Sequence, residues 1–154
     1  FEPIPQPPRP PVPPFLTPTA AYALFYNNSA TGATYAAGEN IAYQSTLYNT
    51  ATTDIVNNNG LITLSGGTTG KAYLVNYQVT GETANDATLA LAINGTVDSN
   101  SEIIPNSTTG TSNGSYIVNV PANSTSTVAL RVVSGTVTTA SPTVGSYLSV
   151  IRIA

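Results

Sequence analysis

Seven carboxylates are the residues of this chain that could perform acid–base chemistry or bind a metal ion. Two pairs are close in sequence: Glu82 with Asp86, and Asp98 with Glu102. Both pairs fall in segments rich in Gly, Asn and Ser, which favours solvated turn residues. The alternative is a calcium site built from loop oxygens. The regular Asp-x-Asp-x-Gly spacing is missing, so the sequence predicts no metal site.

Four residue types are absent from the chain: His, Cys, Met and Trp. Without His, the commonest general base and metal ligand is missing. Without Cys there is no thiol nucleophile, thiolate metal site or disulfide. The many Ser and Thr hydroxyls therefore lack an activating base. The Gly-rich stretch at residues 65–70 is interpreted as a turn, since it lacks the Lys of a phosphate-binding loop. We expect neither an enzyme nor a cofactor.

The charge composition limits the possible partners. Charged residues make up 7 % of the chain, against a usual share of about 25 %. Arg9, Lys71, Arg131 and Arg152 are scattered, so nucleic acid is not an expected partner. No apolar run approaches the roughly 20 residues of a membrane helix. An uncharged surface rich in hydroxyl groups favours an extracellular assembly.

The elements that would position these residues are short β-strands. Runs of Val, Ile, Thr, Leu and Tyr are separated by Gly, Asn, Ser and Pro. The predicted strands are residues 20–26, 40–43, 61–64, 71–80, 88–94, 116–120, 127–134 and 146–153. In residues 71–79, bulky residues alternate with small or polar ones except at Leu74, which places one face inward. Asn94-Gly95 predicts a hairpin turn. The pattern predicts an all-β sandwich or jelly roll over residues 19–154.

A proline-rich segment precedes this domain. Residues 1–18 contain nine of the twelve prolines, so they cannot form a helix or a central strand and should be extended polyproline II. One interpretation is a disordered linker. The other is a connector that docks on another surface. An extended segment has no internal hydrogen bonds, so such a surface would be needed to order it. The apolar residues that could anchor such a connector are Phe1, Ile4, Val12, Phe15 and Leu16.

Three segments carry a family resemblance. Residues 66–103 have a Gly-led aromatic strand, a polar turn and an apolar strand ending in Asn-Gly, and residues 21–28 and 145–154 have the character of an opening and a closing strand. Over residues 19–154 this pattern resembles the C1q/TNF-like jelly roll, in particular the C-terminal domains of Bacillus collagen-like exosporium glycoproteins (BclA type). Those proteins have a Gly-X-Y stalk where this chain has its proline-rich segment. Because it has a short N-terminal connector in place of a collagen stalk, this chain is similar to the subunits of F-type endospore appendages.

The resemblance implies a homotrimer in which one sheet face packs against two neighbours around a threefold axis. Tyr residues suit such a face, because they bury area while the hydroxyl group finds a partner. The aromatic residues could equally fill a monomer core, and the two arginines could lie on an exposed strand face or pair with the acids named above. The candidate interface residues are Tyr22, Phe25, Tyr73, Tyr77, Arg131, Tyr147 and Arg152.

The function expected from these features is a structural subunit of an extracellular spore- or cell-surface fibre. Trimers would join head to tail when the connector of one docks on the next, and a spore-coat or exosporium protein could anchor the fibre. One alternative is a carbohydrate- or receptor-binding head at the tip of a spore or phage fibre. Another is a hydrolase, which would need a carboxylate pair about 5–10 Å apart in a cleft.

Overall fold

The computed structural model describes residues 2–5, 7–8, 21–28, 33–104, 109–139 and 146–154, without the side chains of residues 82–86 and 109. Ten strands and a single 3-10 turn, Ser99–Ser101, make up the regular structure of this part of the chain. The strands are β1 (Tyr22–Tyr26), β2 (Thr34–Ala36), β3 (Ser45–Asn49), β4 (Ile55–Asn58), β5 (Leu61–Ser65), β6 (Lys71–Ile93), β7 (Thr96–Val97), β8 (Thr109–Val120), β9 (Thr125–Thr139) and β10 (Tyr147–Arg152). The all-β prediction is confirmed.

The 23-residue strand β6 joins two layers of the fold. Its first half pairs with β10 and β8, and its second half pairs with β9 and β7. The first layer therefore has the strand order β3-β1-β10-β6-β8, and the second has β4-β5-β9-β6-β7, with β2 beside the end of β9. Every pairing is antiparallel. A jelly roll of two layers follows from this topology.

The core lies between the layers. Alternate residues of β6, from Tyr73 to Val79, point inward and meet apolar residues of the second layer such as Leu91 and Leu130. Burial raises the pKa of Tyr73 to about 12, because a buried phenolate would lose its hydration. Its hydroxyl instead donates to the Ser65 carbonyl at 2.6 Å. The buried tyrosines are thus both packed and hydrogen-bonded.

Two glycines are required by the backbone around this core. At the β6–β7 hairpin, Asn94 and Gly95 have φ of 51° and 82°, which confirms the predicted turn and fits the pair of positive φ values that a tight hairpin needs. On β8, a Cβ at Gly114 would lie 2.6 Å from the ring of Tyr77. Glycine at this position therefore lets the Tyr77 ring lie against the neighbouring strand.

The strand predictions were wrong in several places. Residues 71–80 and 88–94 were expected as two strands with a turn at Glu82 and Asp86. The backbone instead continues as β6, which pairs with β8 up to Glu82 and with β9 up to Ala84 and again from Thr88, with a register shift between them. Residues 40–43 do not form a strand; their backbone meets β9 through a bridge from Asn40 to Arg131 and a bond from Ile41 N–H to the Leu130 carbonyl. The short strands β2, β3, β4 and β7 were not predicted.

A charged cluster closes one end of the space between the layers. Lys71 Nζ lies 2.7 Å from Asp54 Oδ2, and an Arg152 terminal nitrogen lies 3.1 Å from the same oxygen. Asp54 precedes β4 of the second layer, whereas Lys71 and Arg152 belong to β6 and β10 of the first. Each side chain is less than one-third exposed. This cluster, defined by these three residues, holds the layers together at that end.

Replacing the shared carboxylate should destabilise the fold. In Asp54→Asn the two cations lose their counter-charge, so we expect the free energy of unfolding to fall by about 1–2 kcal/mol. Thermal unfolding should show a decrease in Tm of roughly 3–6 °C. Glu102→Gln makes the same charge change at an exposed position outside the cluster and should leave Tm unchanged. Equal shifts in both variants would mean that the cluster does not stabilise the fold.

Candidate self-association surface

The outward face of the first layer is formed by the residues that alternate with the core residues. Along β10, Leu148 and Val150 are buried while Ser149 is half-buried and Ile151 is exposed. Strands β1, β6 and β8 alternate in the same way. Because the strands are in register, their outward residues form rows that cross the layer.

One of these rows is apolar from edge to edge. Tyr22 on β1 is opposite Ile151 on β10, which is opposite Leu74 on β6, and Leu74 is opposite Ile117 on β8. Tyr48 on β3 extends the row, since its ring meets that of Tyr22 edge-on with centroids 5.5 Å apart. We call these five residues the apolar row.

The apolar row is open to solvent in the single chain. Ile117 is 53 % exposed, Tyr48 43 %, Tyr22 42 % and Ile151 38 %. Isolated exposed apolar side chains are common on soluble proteins, but a contiguous set of them is typical of a contact surface. The apolar row therefore marks this face as the candidate functional site.

The next row begins with Leu24 on β1, opposite Ser149 on β10 and Tyr48 on β3, and is otherwise polar and uncharged. Ser149 is opposite Asn76, and Asn76 is opposite Ser115. Asn76 Nδ2 donates to Ser149 Oγ at 3.3 Å, and Ser115 Oγ donates to Asn76 Oδ1 at 2.8 Å. A further row toward the other end of the strands contains Tyr26, Tyr147, Gln78 and Asn113. Since none of the residues in these rows carries a charge that has to lose its hydration, this part of the face can be covered at little electrostatic cost.

The structure divides the aromatic interface candidates into two groups. Tyr22 and Tyr147 lie on the outward face. Phe25, Tyr73 and Tyr77 are at most 2 % exposed and belong to the core. For these three the interface alternative is wrong, because the pleat of β1 and β6 directs them to the inner side of the layer. Burial also raises the pKa of Tyr77, whose hydroxyl donates to the Ser101 carbonyl at 2.6 Å.

Neither candidate arginine lies on the outward face of the first layer. Arg131, in the second layer, donates from Nε to Asn40 Oδ1 at 2.9 Å and from a terminal nitrogen to the Gly95 carbonyl at 3.0 Å. Arg152 binds Asp54 in the charged cluster. Arg152 thus pairs with Asp54, a carboxylate that the sequence analysis did not single out, and the two described side-chain contacts of Arg131 are to uncharged groups.

The carboxylates considered for chemistry are not brought together in the described structure. Asp98 accepts the hydroxyl of Tyr116 at 2.5 Å. This bond, followed by bonds from Asn100, lowers the pKa of Asp98. Glu102 is exposed at the end of the 3-10 turn. No three His, Cys, Asp or Glu side chains lie close enough to hold a metal ion among those that the structure describes; those of Glu82 and Asp86 lie outside this set.

The connector is described only in part. Residues 2–5 and 7–8 are exposed, and Ile4 retains 91 % of its accessible surface. Ile4 therefore does not pack on its own domain. The other anchor candidates, Phe1, Val12, Phe15 and Leu16, lie outside the described residues.

Ala21, the residue before β1, shows at which end of the first layer the chain enters the domain. Arg152 N–H donates to the Ala21 carbonyl at 2.9 Å, and Ala72 N–H donates to the Ala154 carbonyl at 3.0 Å. Ala21 and Ala154 thus lie at the same end as the charged cluster. Thr80 and Ser146, joined by a bond of 2.9 Å from Thr80 N–H to Ser146 Oγ, lie toward the opposite end.

Sequence reasoning missed most of the apolar row. Tyr48, Ile117 and Ile151 lie in or beside strands whose apolar residues occur on both faces, so the inward set could not be identified. Leu74 was the available signal. It is the one bulky residue on the otherwise small or polar side of residues 71–79, and an apolar exception on an outward face indicates a contact.

Comparison with known proteins bears on the fold alone. The chain is similar to Eiger TNF from S. frugiperda (TM-score 0.62, 12 % identity, 87 % of this chain and 92 % of that one). It is also similar to murine APRIL (0.63, 8 %, 86 % and 98 %) and to the globular domain of zebrafish complement 1qA (0.51, 12 %, 87 % and 98 %). No family model and no curated protein matches the sequence. A helix long and apolar enough to cross a membrane does not occur in the described ranges. The domain has the C1q/TNF-like jelly-roll fold that the resemblance implied.

A charge in the apolar row should prevent self-association without unfolding the chain. We expect Ile117→Asp to sediment as a smaller species than the wild type, because a carboxylate at the contact would lose its hydration without a partner. Val56→Asp is the matched control, since Val56 is 48 % exposed on β4 of the second layer. Sedimentation velocity and circular dichroism measure assembly and folding. If both variants assemble like the wild type, the apolar row is not a contact.

Proposed function

We propose that this protein is a non-enzymatic structural subunit of an extracellular fibre on a spore or cell surface. In this proposal the domain forms a homotrimer, and trimers join head to tail through the proline-rich connector. The observation that carries the proposal is the uncharged outward face of the first layer, with its exposed apolar row, on a C1q/TNF-like fold.

The trimer would bury the outward face of the first layer. The apolar row crosses that layer from Tyr48 on β3 to Ile117 on β8, so a neighbour covering it would contact several strands. Tyr22 and Tyr48 supply area together with hydroxyl groups that can bond at the rim of the contact. The threefold arrangement itself follows from the resemblance to the C1q/TNF-like family.

The filament would depend on the connector. An extended polyproline segment of 18 residues spans about 55 Å, whereas residues 71–79 of β6 span roughly 30 Å as a strand. A connector that leaves one end of a domain can therefore reach a second trimer. Such a contact joins two different surfaces, so it does not close and it generates a filament. Three connectors in each trimer add avidity.

The location on a spore or cell surface rests on the resemblance to exosporium glycoproteins and endospore appendages. The low charge content supports it, because net charge of -3 gives the surface little electrostatic protection against association. A spore-coat or exosporium protein would anchor the first trimer. The absence of Cys means that such a fibre would be held together without disulfides.

A binding head at a fibre tip is the second candidate. The row of Tyr26, Tyr147, Gln78 and Asn113 combines aromatic rings with amides, as carbohydrate-binding surfaces do. It lies beyond the polar row and away from the apolar row, so it could stay open in a trimer. Specific binding on a glycan array by a protein that forms no filaments would favour this function over the structural one.

Deletion of residues 1–15 should separate the two stages of assembly. The truncated chain keeps the outward face of the first layer and should remain trimeric, but it should form no fibres in negative-stain electron microscopy. The full chain imaged at the same concentration is the control. Fibres formed by the truncated chain would show that the connector does not join the trimers.

A further inference from the structure

Strand β8 ends the first layer with an open edge. It pairs with β6 over twelve consecutive positions without a shift in register, and no backbone bond to its other side occurs in the described ranges. In an antiparallel pair every second residue directs its N–H and C=O groups away from the partner strand. The outer edge of β8 therefore presents a row of free donors and acceptors.

This edge lacks the devices that normally protect an edge strand. Residues 109–120 contain no Lys, no other charge and no Pro, and the strand has no bulge. The other edge of the first layer, β3, has five residues and a register shift in its pairing with β1. Edge strands β4 and β7 of the second layer have four and two residues. A long unprotected edge is suited to accept another strand.

The connector contains a segment with the complementary pattern. In residues 2–7, Glu-Pro-Ile-Pro-Gln-Pro, a proline occupies every second position. A residue that precedes proline is held in the extended region. In an extended strand the groups of Glu2, Ile4 and Gln6 point to one side, and those of Pro3, Pro5 and Pro7 point to the other. The segment can therefore bond fully along one edge, and it offers no N–H donor along the other.

We propose that residues 2–7 of one copy add as a strand to the outer edge of β8 in another copy. This inference rests on the proposed fibre function, since it names the site where the connector docks. The alternate prolines give the added strand a second property. Without donors on its outer side it ends the sheet, so the contact joins trimers without allowing further strands to stack.

One observation favours another copy over the connector's own domain: Ile4 is 91 % exposed and residues 2–5 are not paired within the single chain. The chain enters β1 at the end marked by Ala21 and Ala154, whereas Thr111 and Asn113 of β8 pair with Thr80 and Gln78 toward the opposite end. A connector that meets this part of β8 on the next trimer gives the head-to-tail arrangement.

Disulfide trapping between separately labelled chains tests the contact directly, because the chain has no Cys of its own. Adjacent strand residues face opposite sides, so Pro3→Cys and Ile4→Cys together cover both faces of the added strand. Each is mixed with Thr111→Cys, Asn113→Cys or Ser115→Cys, all at exposed β8 positions. Leu47→Cys, 64 % exposed on β3, is the control. We expect at least a tenfold excess of cross-links to β8 over cross-links to Leu47→Cys.

The outcomes separate this inference from the fibre function. Filaments with cross-links only to Leu47→Cys, or to neither strand, would overturn strand addition to β8 and leave the fibre function intact. Cross-links to β8 in small complexes without filaments would support the docking site and contradict the fibre function. If neither filaments nor cross-links form, both are wrong.

A backbone substitution provides the second readout. Ile4→Pro removes the central N–H of the one-sided strand and should abolish filaments, whereas Ile4→Val keeps that N–H and should preserve them. Equal loss of filaments in both variants would mean that the Ile4 side chain, and not strand addition, makes the contact.

Discussion

The arrangement of the molecule depends on the alternation of side chains across the first layer. In β6 and β10 every second residue faces the core, and the residues between them face outward. This alternation buries Tyr73 and Tyr77 and sets Leu74 and Ile151 side by side on the outward face. A shift of one residue would exchange the two sets. The core and the proposed contact surface are therefore two sides of the same strands.

Two sets of polar side-chain contacts hold the first layer to the rest of the domain. At the end where the chain joins β1, the shared carboxylate of Asp54 connects Lys71 and Arg152 across the two layers. Near the edge of the sandwich, Tyr77 bonds Ser101 and Tyr116 bonds Asp98, so the 3-10 turn is fastened to the first layer. The charged side chains of Asp54, Lys71, Arg152 and Asp98 therefore contribute to closing the fold. The described rows on the outward face of the first layer carry no charge and are available for association.

Much of the fold could be predicted from the sequence, because strong local signals agree with it. The alternation in residues 71–79 and the Asn94-Gly95 turn both appear in the structure. The continuity of β6 could not be predicted, since its polar middle has the composition of a turn and becomes a strand only through pairing with β8 and β9. Which side chains of β1 face the core was ambiguous for another reason. Phe25 on one side and Tyr22 and Tyr26 on the other are all bulky, and only the pairing with β10 shows which side is buried. That ambiguity is itself a property of a strand with a core face and a contact face.

The central claim is that copies of this chain associate through the outward face of the first layer, and electron cryomicroscopy of the assembled full-length protein tests it most directly. The account predicts threefold particles in which Tyr22, Leu74, Ile117 and Ile151 are buried between copies. Particles that leave these side chains facing solvent, with copies joined through the second layer, would contradict it.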